Sequence, residues 1–191
     1  MPLSFANKVT ICRILAVPFF IAAIVYYSPE REYLRYVALG IFLLAVISDV
    51  IDGYIARTRH QKTKAGSILD PLADKLLLIS AFICLHNVGN LWGDLRFPLW
   101  LVIAVISRDV ILLLGAMIIY AVQGNLEIVP TRWGKTSTFF QILCVLGILL
   151  QVDLSFVVWY ITIIFTFFSG VGYIRKGIKV LNVTVDPKNH S

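Results

Sequence analysis

The chain has 191 residues, of which 59% are hydrophobic and 15% charged, with a net charge of +6 and a mean hydropathy of +0.84. Soluble domains carry about a quarter of their residues as charges, so the composition excludes an ordinary soluble domain and describes a polytopic membrane protein. In such a chain the positive charge reports topology rather than nucleic-acid binding.

Apolar runs of spanning length, about 20 residues each, recur at 9–27, 34–57, 71–90, 97–121, 136–152 and 155–174. Ahead of the first, residues 2–10 mix Leu3, Phe5 and Val9 with Ser4, Asn7, Lys8 and Thr10. That mixture suits a short helix lying along the membrane interface. The run Ile11–Tyr27 is too long for a signal-peptide core and lacks a small-x-small cleavage site, so it reads as a retained helix. Ser28-Pro29 breaks it. The second run ends in Ser48-Asp49-Val50-Ile51-Asp52-Gly53-Tyr54-Ile55-Ala56-Arg57, where two carboxylates interrupt an apolar helix. A basic connector with Arg59, Lys62 and Lys64 leads to the third run, which opens on Asp70-Pro71 and carries Asp74. Gly89-Asn90 and Gly93 precede the fourth, which holds Arg108 beside Asp109 midway along. Gly124-Asn125 and Pro130 precede the fifth. After the sixth, Asn182–Ser191 is a polar tail. Backbone groups in lipid must be satisfied internally, so the expectation is an all-α integral membrane bundle of about six helices, one domain over 1–181 with a tail over 182–191.

Lys and Arg divide unevenly between the two ends of these runs. Lys8, Arg13, Arg57, Arg59, Lys62, Lys64, Arg132, Lys135, Arg175, Lys176, Lys179 and Lys188 fall on one side, and only Arg31, Arg35 and Arg96 on the other. By the positive-inside rule both termini are cytoplasmic. Trp92, Trp100, Trp133 and Trp159 lie near the ends of runs, as ordinary interfacial anchors do. Cys12, Cys84 and Cys144 are far apart with no metal-ligand or disulfide spacing, and read as inert core thiols.

The carboxylates carry the chemistry. Asp49 and Asp52, at i and i+3, share one helix face, and so do Asp70 and Asp74, at i and i+4. A short connector makes the two helices antiparallel neighbours, which sets all four acids at one depth. Taken alone, Asp70 before Pro71 is a helix N-cap, and Asp74 would favour the positive helix start. Asp49 and Asp52 have no such role near a helix C-terminal end, and an acid costs about 2.5–3.5 kcal/mol at the bilayer centre. Converging short carboxylates suit a hard divalent cation, Mg²⁺ or Mn²⁺. Gly53, Ala56 and Gly66 would let helices or a ligand approach closely, although plain packing explains Gly53 or Ala56 singly.

Read as Asp49-x2-Asp52-Gly53-x2-Ala56-Arg57-x8-Gly66-x3-Asp70-x3-Asp74, eight fixed positions over 26 residues, the segment resembles the signature of the CDP-alcohol phosphotransferase family. The continuation Asp70-Pro71-Leu72-Ala73-Asp74-Lys75 is similar to the phosphatidylglycerophosphate and cardiolipin synthase branches. The resemblance implies displacement of CMP from a CDP-linked lipid by an acceptor hydroxyl. It implies two divalent cations, Mg²⁺ or Mn²⁺, on Asp49, Asp52, Asp70 and Asp74, with Asp74 also taking the hydroxyl proton. The CDP portion would rest near Gly53, Ala56, Arg57 and Gly66, and on Asn7, Thr10 and Arg13, which resemble the family's N-x2-T-x2-R element.

Arg108-Asp109 departs from the Arg-Glu common in the glycerol-phosphate branch and looks more like eukaryotic-type cardiolipin synthases. An intramembrane Arg is a functional candidate, and its plain alternative is an ion pair with a neighbouring Asp. Gly134-Lys135-x2-Thr138-x2-Gln141 resembles the family's G-K-x-x-T-x-x-Q element, so Arg132 and Lys135, with Arg108, would receive an anionic acceptor. The resemblance thus implies a phosphatidyl transfer from CDP-diacylglycerol, first to glycerol 3-phosphate and alternatively to phosphatidylglycerol. It also implies a homodimer among membrane lipids, in a bacterial-type cytoplasmic membrane with the site facing the cytoplasm. A transporter is the rival from another class, but its charges would be spread over several depths.

Overall fold

The computed structural model describes residues 5–59, 66–88, 96–123 and 132–185, with side chains over 10–51, 73, 75–88, 96–115, 133–173 and 175. Among these residues the regular elements are helices: α1 Phe5–Val25, α2 Tyr33–Arg59, α3 Gly66–Val88, α4 Leu99–Gln123, α5 Arg132–Leu149 and α6 Ser155–Val185, with a single 3₁₀ turn at Pro29–Arg31. Each apolar run of the sequence has become one helix. Two stretches of 19 residues, Tyr33–Ile51 in α2 and Ser155–Tyr173 in α6, are long and apolar enough to cross a membrane. Large side chains face outward: Phe19, Leu44 and Phe167 are each 68% exposed. An outer surface of this kind suits lipid rather than water. Trp100 and Trp133 are also exposed, and Trp92 lies outside the described residues.

Several boundaries differ from those expected. Among the described residues no separate interfacial helix precedes the first run, because from Phe5 onward they are already the first turns of α1. Nothing between Phe5 and Pro18 breaks a helix, and α1 continues through Pro18 at the loss of one backbone hydrogen bond. α3 starts at Gly66, a full turn before Asp70. Asp70 is therefore not an N-cap, and Asp74 lies beyond the first turn, to which the helix-dipole effect is confined. α5 starts at Arg132, so Arg132 to Lys135 are its first turn. α6 continues to Val185 and takes in residues 182–185. The basic connector with Lys62 and Lys64, the breakers Gly89-Asn90, Gly93, Gly124-Asn125 and Pro130, and residues 186–191 lie outside the described residues.

The chain divides into two compact units. In the first, residues 1–102 with 145–155, α1 packs against both α2 and α3. Phe20 and Ile24 of α1, Phe42 of α2 and Phe82 of α3 are fully buried. Phe20 and Phe42 meet at 6.0 Å, and Phe82 stacks on Phe97 at 4.5 Å. Ala23, Ala38, Ala45, Ala73 and Ala81 are buried as well, and such small side chains let helices approach closely. His86 Nδ1 donates to the Phe97 carbonyl at 2.6 Å and fastens the end of α3 to the segment before α4.

α5 ends in this unit on a Schellman motif. The Val152 N–H donates to the Gly147 carbonyl and the Gln151 N–H to the Ile148 carbonyl, both at 2.9 Å. The motif needs a left-handed residue, and Gln151 takes it with φ 54°. Gly147 allows a close approach instead: a Cβ there would lie 3.0 Å from the Ser155 Cβ.

In the second unit, residues 103–144 with 156–191, α5 and α6 run antiparallel along a polar seam. Ser137, Gln141 and Cys144 of α5 and Thr162, Thr166 and Ser169 of α6 are all buried. Ser137 and Thr166 hydroxyls meet at 3.2 Å. The Thr162 hydroxyl donates to the Val158 carbonyl, so the Cys144 thiol is the donor in its 3.0 Å contact with Thr162. Beside the seam, Phe140 stacks on Phe165 at 5.0 Å, and Trp133 lies 5.8 Å from Phe168.

Candidate active site

Both pairs of acids belong to the first unit. Asp49 and Asp52 lie inside α2, well before its end at Arg59, on one face by their spacing. Asp70 and Asp74 lie inside α3, likewise on one face. α1 is the packing partner the two helices share. The side chains of Asp52, Asp70 and Asp74 lie outside the described residues, as do those of Asn7, Gly53, Ala56, Arg57, Gly66 and Arg132. Among the described residues no three His, Cys, Asp or Glu gather.

Asp49 is the described acid, and α1 supplies its partner. Arg13 Nη1 donates to Asp49 Oδ1 at 3.1 Å. The Arg13 side chain is 3% exposed and that of Asp49 44%. A buried, fixed guanidinium thus holds one oxygen of a carboxylate that stays open to a ligand. A half-open, hard anionic oxygen donor fits a divalent cation. Thr10, three residues before Arg13 on α1, is buried too. The N-x2-T-x2-R element and the first acid of the signature therefore meet through Arg13, a contact the sequence motif does not announce.

The basic residues form a second group. Arg108 is buried, and its Nη1 donates to Asp109 Oδ1 at 2.6 Å. Its Nε and Nη2 donate to Ser169 Oγ at 3.2 Å and 2.5 Å. A longer contact of 3.4 Å reaches the Gly134 carbonyl. The local ion pair weighed as the plain alternative is present, but the guanidinium also joins α5 and α6. Lys135 is exposed in the first turn of α5 while Gly134 before it is buried. Sequence reasoning passed over Ser169, Thr166 and Ser137. Their signal is the small-polar spacing 134, 137, 141, 144 on α5 against 162, 166, 169 on α6, one face of each helix. Gln141 is fully buried, and its amide has no hydrogen-bond partner among the described residues.

Comparison with known proteins gives one answer. Residues 3–168 match the family model described as CDP-alcohol phosphatidyltransferase. A protein of Mycobacterium tuberculosis named "Probable phosphatidylglycerophosphate synthase" is 30% identical, over 92% of this chain and 82% of its own length. The Bacillus subtilis protein named CDP-diacylglycerol--glycerol-3-phosphate 3-phosphatidyltransferase is 32% identical, over 93% of this chain and 97% of its own. A Haemophilus influenzae protein of the same name is 30% identical over 91% and 94%. With the signature intact and the match running through nearly every helix, this chain belongs to the CDP-alcohol phosphatidyltransferase family.

Proposed function

We infer that the chain is a CDP-diacylglycerol-dependent phosphatidyltransferase that transfers its phosphatidyl group to glycerol 3-phosphate, giving phosphatidylglycerophosphate and CMP. The observation that carries this is the relatives matched over more than nine-tenths of the chain whose names state that activity. The phosphatidylglycerol alternative, which would give cardiolipin, is not favoured by those names despite Arg108-Asp109. A transporter does not fit the family.

The acceptor hydroxyl attacks the phosphorus that bears the lipid, and CMP departs with the electron pair of the broken P–O bond. Asp74 receives the hydroxyl proton, since a positioned carboxylate can act as general base. Asp49, Asp52, Asp70 and Asp74 would hold two divalent cations, Mg²⁺ or Mn²⁺. Bound there, such ions neutralise a diphosphate and steady charge on the attacking and leaving oxygens. Arg13 holds Asp49 in place for that role and, with Asn7, Thr10 and Arg57, binds the CDP portion. Arg57 offers a planar fork to phosphate, and Gly53, Ala56 and Gly66 leave room for the nucleotide. Arg108, Arg132 and Lys135 supply the positive charge an anionic acceptor needs.

The same reading makes the protein an integral membrane enzyme of about six spans. Both termini and the site face the cytoplasm of a bacterial-type membrane, the lipid tails enter from the bilayer, and two copies form a homodimer. Residues 1–181 form the enzyme domain and 182–191 a tail. The test is acceptor competition: purified protein, Mg²⁺ and CDP-diacylglycerol are offered glycerol 3-phosphate and phosphatidylglycerol together, and the lipid products are identified. Phosphatidylglycerophosphate is the expected product. Cardiolipin alone, or no CMP release with either acceptor, would overturn the assignment.

A further inference from the structure

The register of α1 against α2 decides which oxygen of Asp49 is open. The two helices pack together, and their buried rings Phe20 and Phe42 meet at 6.0 Å. Arg13 lies seven residues before Phe20, and Asp49 seven residues after Phe42. Seven residues are two helical turns, so in this antiparallel pair the ring contact and the ion pair are two layers of one interface. Packing, rather than the reach of a loose side chain, places the guanidinium. The Arg13 side chain is 3% exposed, and its Nη1 donates to Asp49 Oδ1 at 3.1 Å. The Asp49 side chain remains 44% exposed. Its neighbour Ser48 donates its hydroxyl back to the Leu44 carbonyl at 2.6 Å and leaves the carboxylate alone. One oxygen of Asp49 is therefore engaged by a buried cation, and among the described residues no hydrogen bond is made to the other.

We propose that Arg13 determines which divalent ion Asp49 accepts: by holding Oδ1 it confines the carboxylate to one ligand oxygen, Oδ2, and so favours Mg²⁺ over Ca²⁺. Mg²⁺ demands near-octahedral geometry at about 2.0–2.1 Å, whereas Ca²⁺ takes six to eight oxygens at about 2.3–2.6 Å and accepts both oxygens of one carboxylate. A cation drawn onto both oxygens of Asp49 would also approach the guanidinium, and like charges repel. The planar, rigid guanidinium, set by helix packing, keeps the carboxylate from turning to offer both oxygens. Arg13 is thus a positioning residue that acts on the ion through Asp49. This inference rests on the divalent-ion reading of the four acids above.

The experiment follows Mn²⁺ bound to the purified protein by electron paramagnetic resonance, at saturating CDP-diacylglycerol, and its displacement by Mg²⁺ and by Ca²⁺. Wild type, Arg13→Lys, Arg13→Gln and Arg13→Met are compared, with circular dichroism to establish the fold of each. The quantity read is the ratio of the two displacement midpoints. A general change in field or in nucleotide affinity acts on both ions and cancels in that ratio, whereas loss of a geometric restraint does not. Removing a group that orients a metal ligand typically changes metal affinity about 10–100-fold. Arg13→Met, which releases Oδ1, should therefore shift the ratio toward Ca²⁺ by roughly 10-fold or more. Arg13→Lys, which keeps both donor and charge, stays near wild type, and Arg13→Gln, which keeps the donor alone, lies between. If Arg13→Met does not fold, the other two decide, with Gln shifted further toward Ca²⁺ than Lys. An unchanged ratio in every folded variant, or equal shifts in Lys and Gln, overturns the proposal even where both affinities fall. A wild type that binds no Mn²⁺ would instead remove the divalent-ion reading, and this inference with it.

Discussion

Arg13 and Arg108 are both buried arginines, and the two differ in what they leave open. Arg13 ends on a carboxylate with nearly half its surface accessible, so the pair retains an oxygen for a cation. Arg108 ends on a carboxylate with none, so that pair is internal. Replacing Arg13 with Gln removes a charged hydrogen bond of about 1.5–3 kcal/mol. We expect kcat/KM for CDP-diacylglycerol to fall roughly 10-fold or more, with partial recovery in Arg13→Lys, as read by CMP release. Asp109→Ala strands a buried guanidinium, and breaking such a pair costs about 3–5 kcal/mol. Thermal unfolding in detergent should show it as a large drop in Tm, whereas an unchanged Tm would mean that Arg108 finds its compensation elsewhere. Asp74→Asn removes the proposed base. CMP release should fall about 10²–10⁴-fold while circular dichroism remains that of the wild type.

At the scale of the element, the helices were legible because an apolar run bounded by Ser-Pro or Gly-Asn has few other structures open to it in lipid. Their starts were less so. Asp70-Pro71 carries a strong local start signal, yet α3 begins at Gly66, since residues 66–69 contain nothing that stops a helix extending backward. The correction sharpens the functional case: without a capping role, Asp70 and Asp74 are acids within a helix, as Asp49 and Asp52 are. The α5–α6 seam was not legible, because Ser and Thr at helical spacing are common in membrane helices and their partners appear only when the two helices are paired. The turn joining these helices allows two measurements. Gln151 adopts a left-handed φ that costs a side-chain-bearing residue about 1–2 kcal/mol, so Gln151→Gly should raise Tm, and a fall would contradict the cap. Gly147→Ala drives a Cβ to 3.0 Å from the Ser155 Cβ. Such overpacking typically costs about 1–3 kcal/mol, and a neutral Ala would show that the turn yields.

For the whole molecule, the family and the reaction were readable because eight signature positions fall within 26 residues. Arg108-Asp109 resembled the cardiolipin branch and so pointed away from the acceptor that the relatives' names support. The central claim is that the acids of α2 and α3 share divalent ions. Electron paramagnetic resonance of Mn²⁺ added to the purified protein with CDP-diacylglycerol tests it most directly. The account predicts about two bound ions per chain, reduced by either Asp49→Asn on α2 or Asp70→Asn on α3, with CMP release lost in parallel. Full Mn²⁺ occupancy in both variants, or none in the wild type, would contradict it.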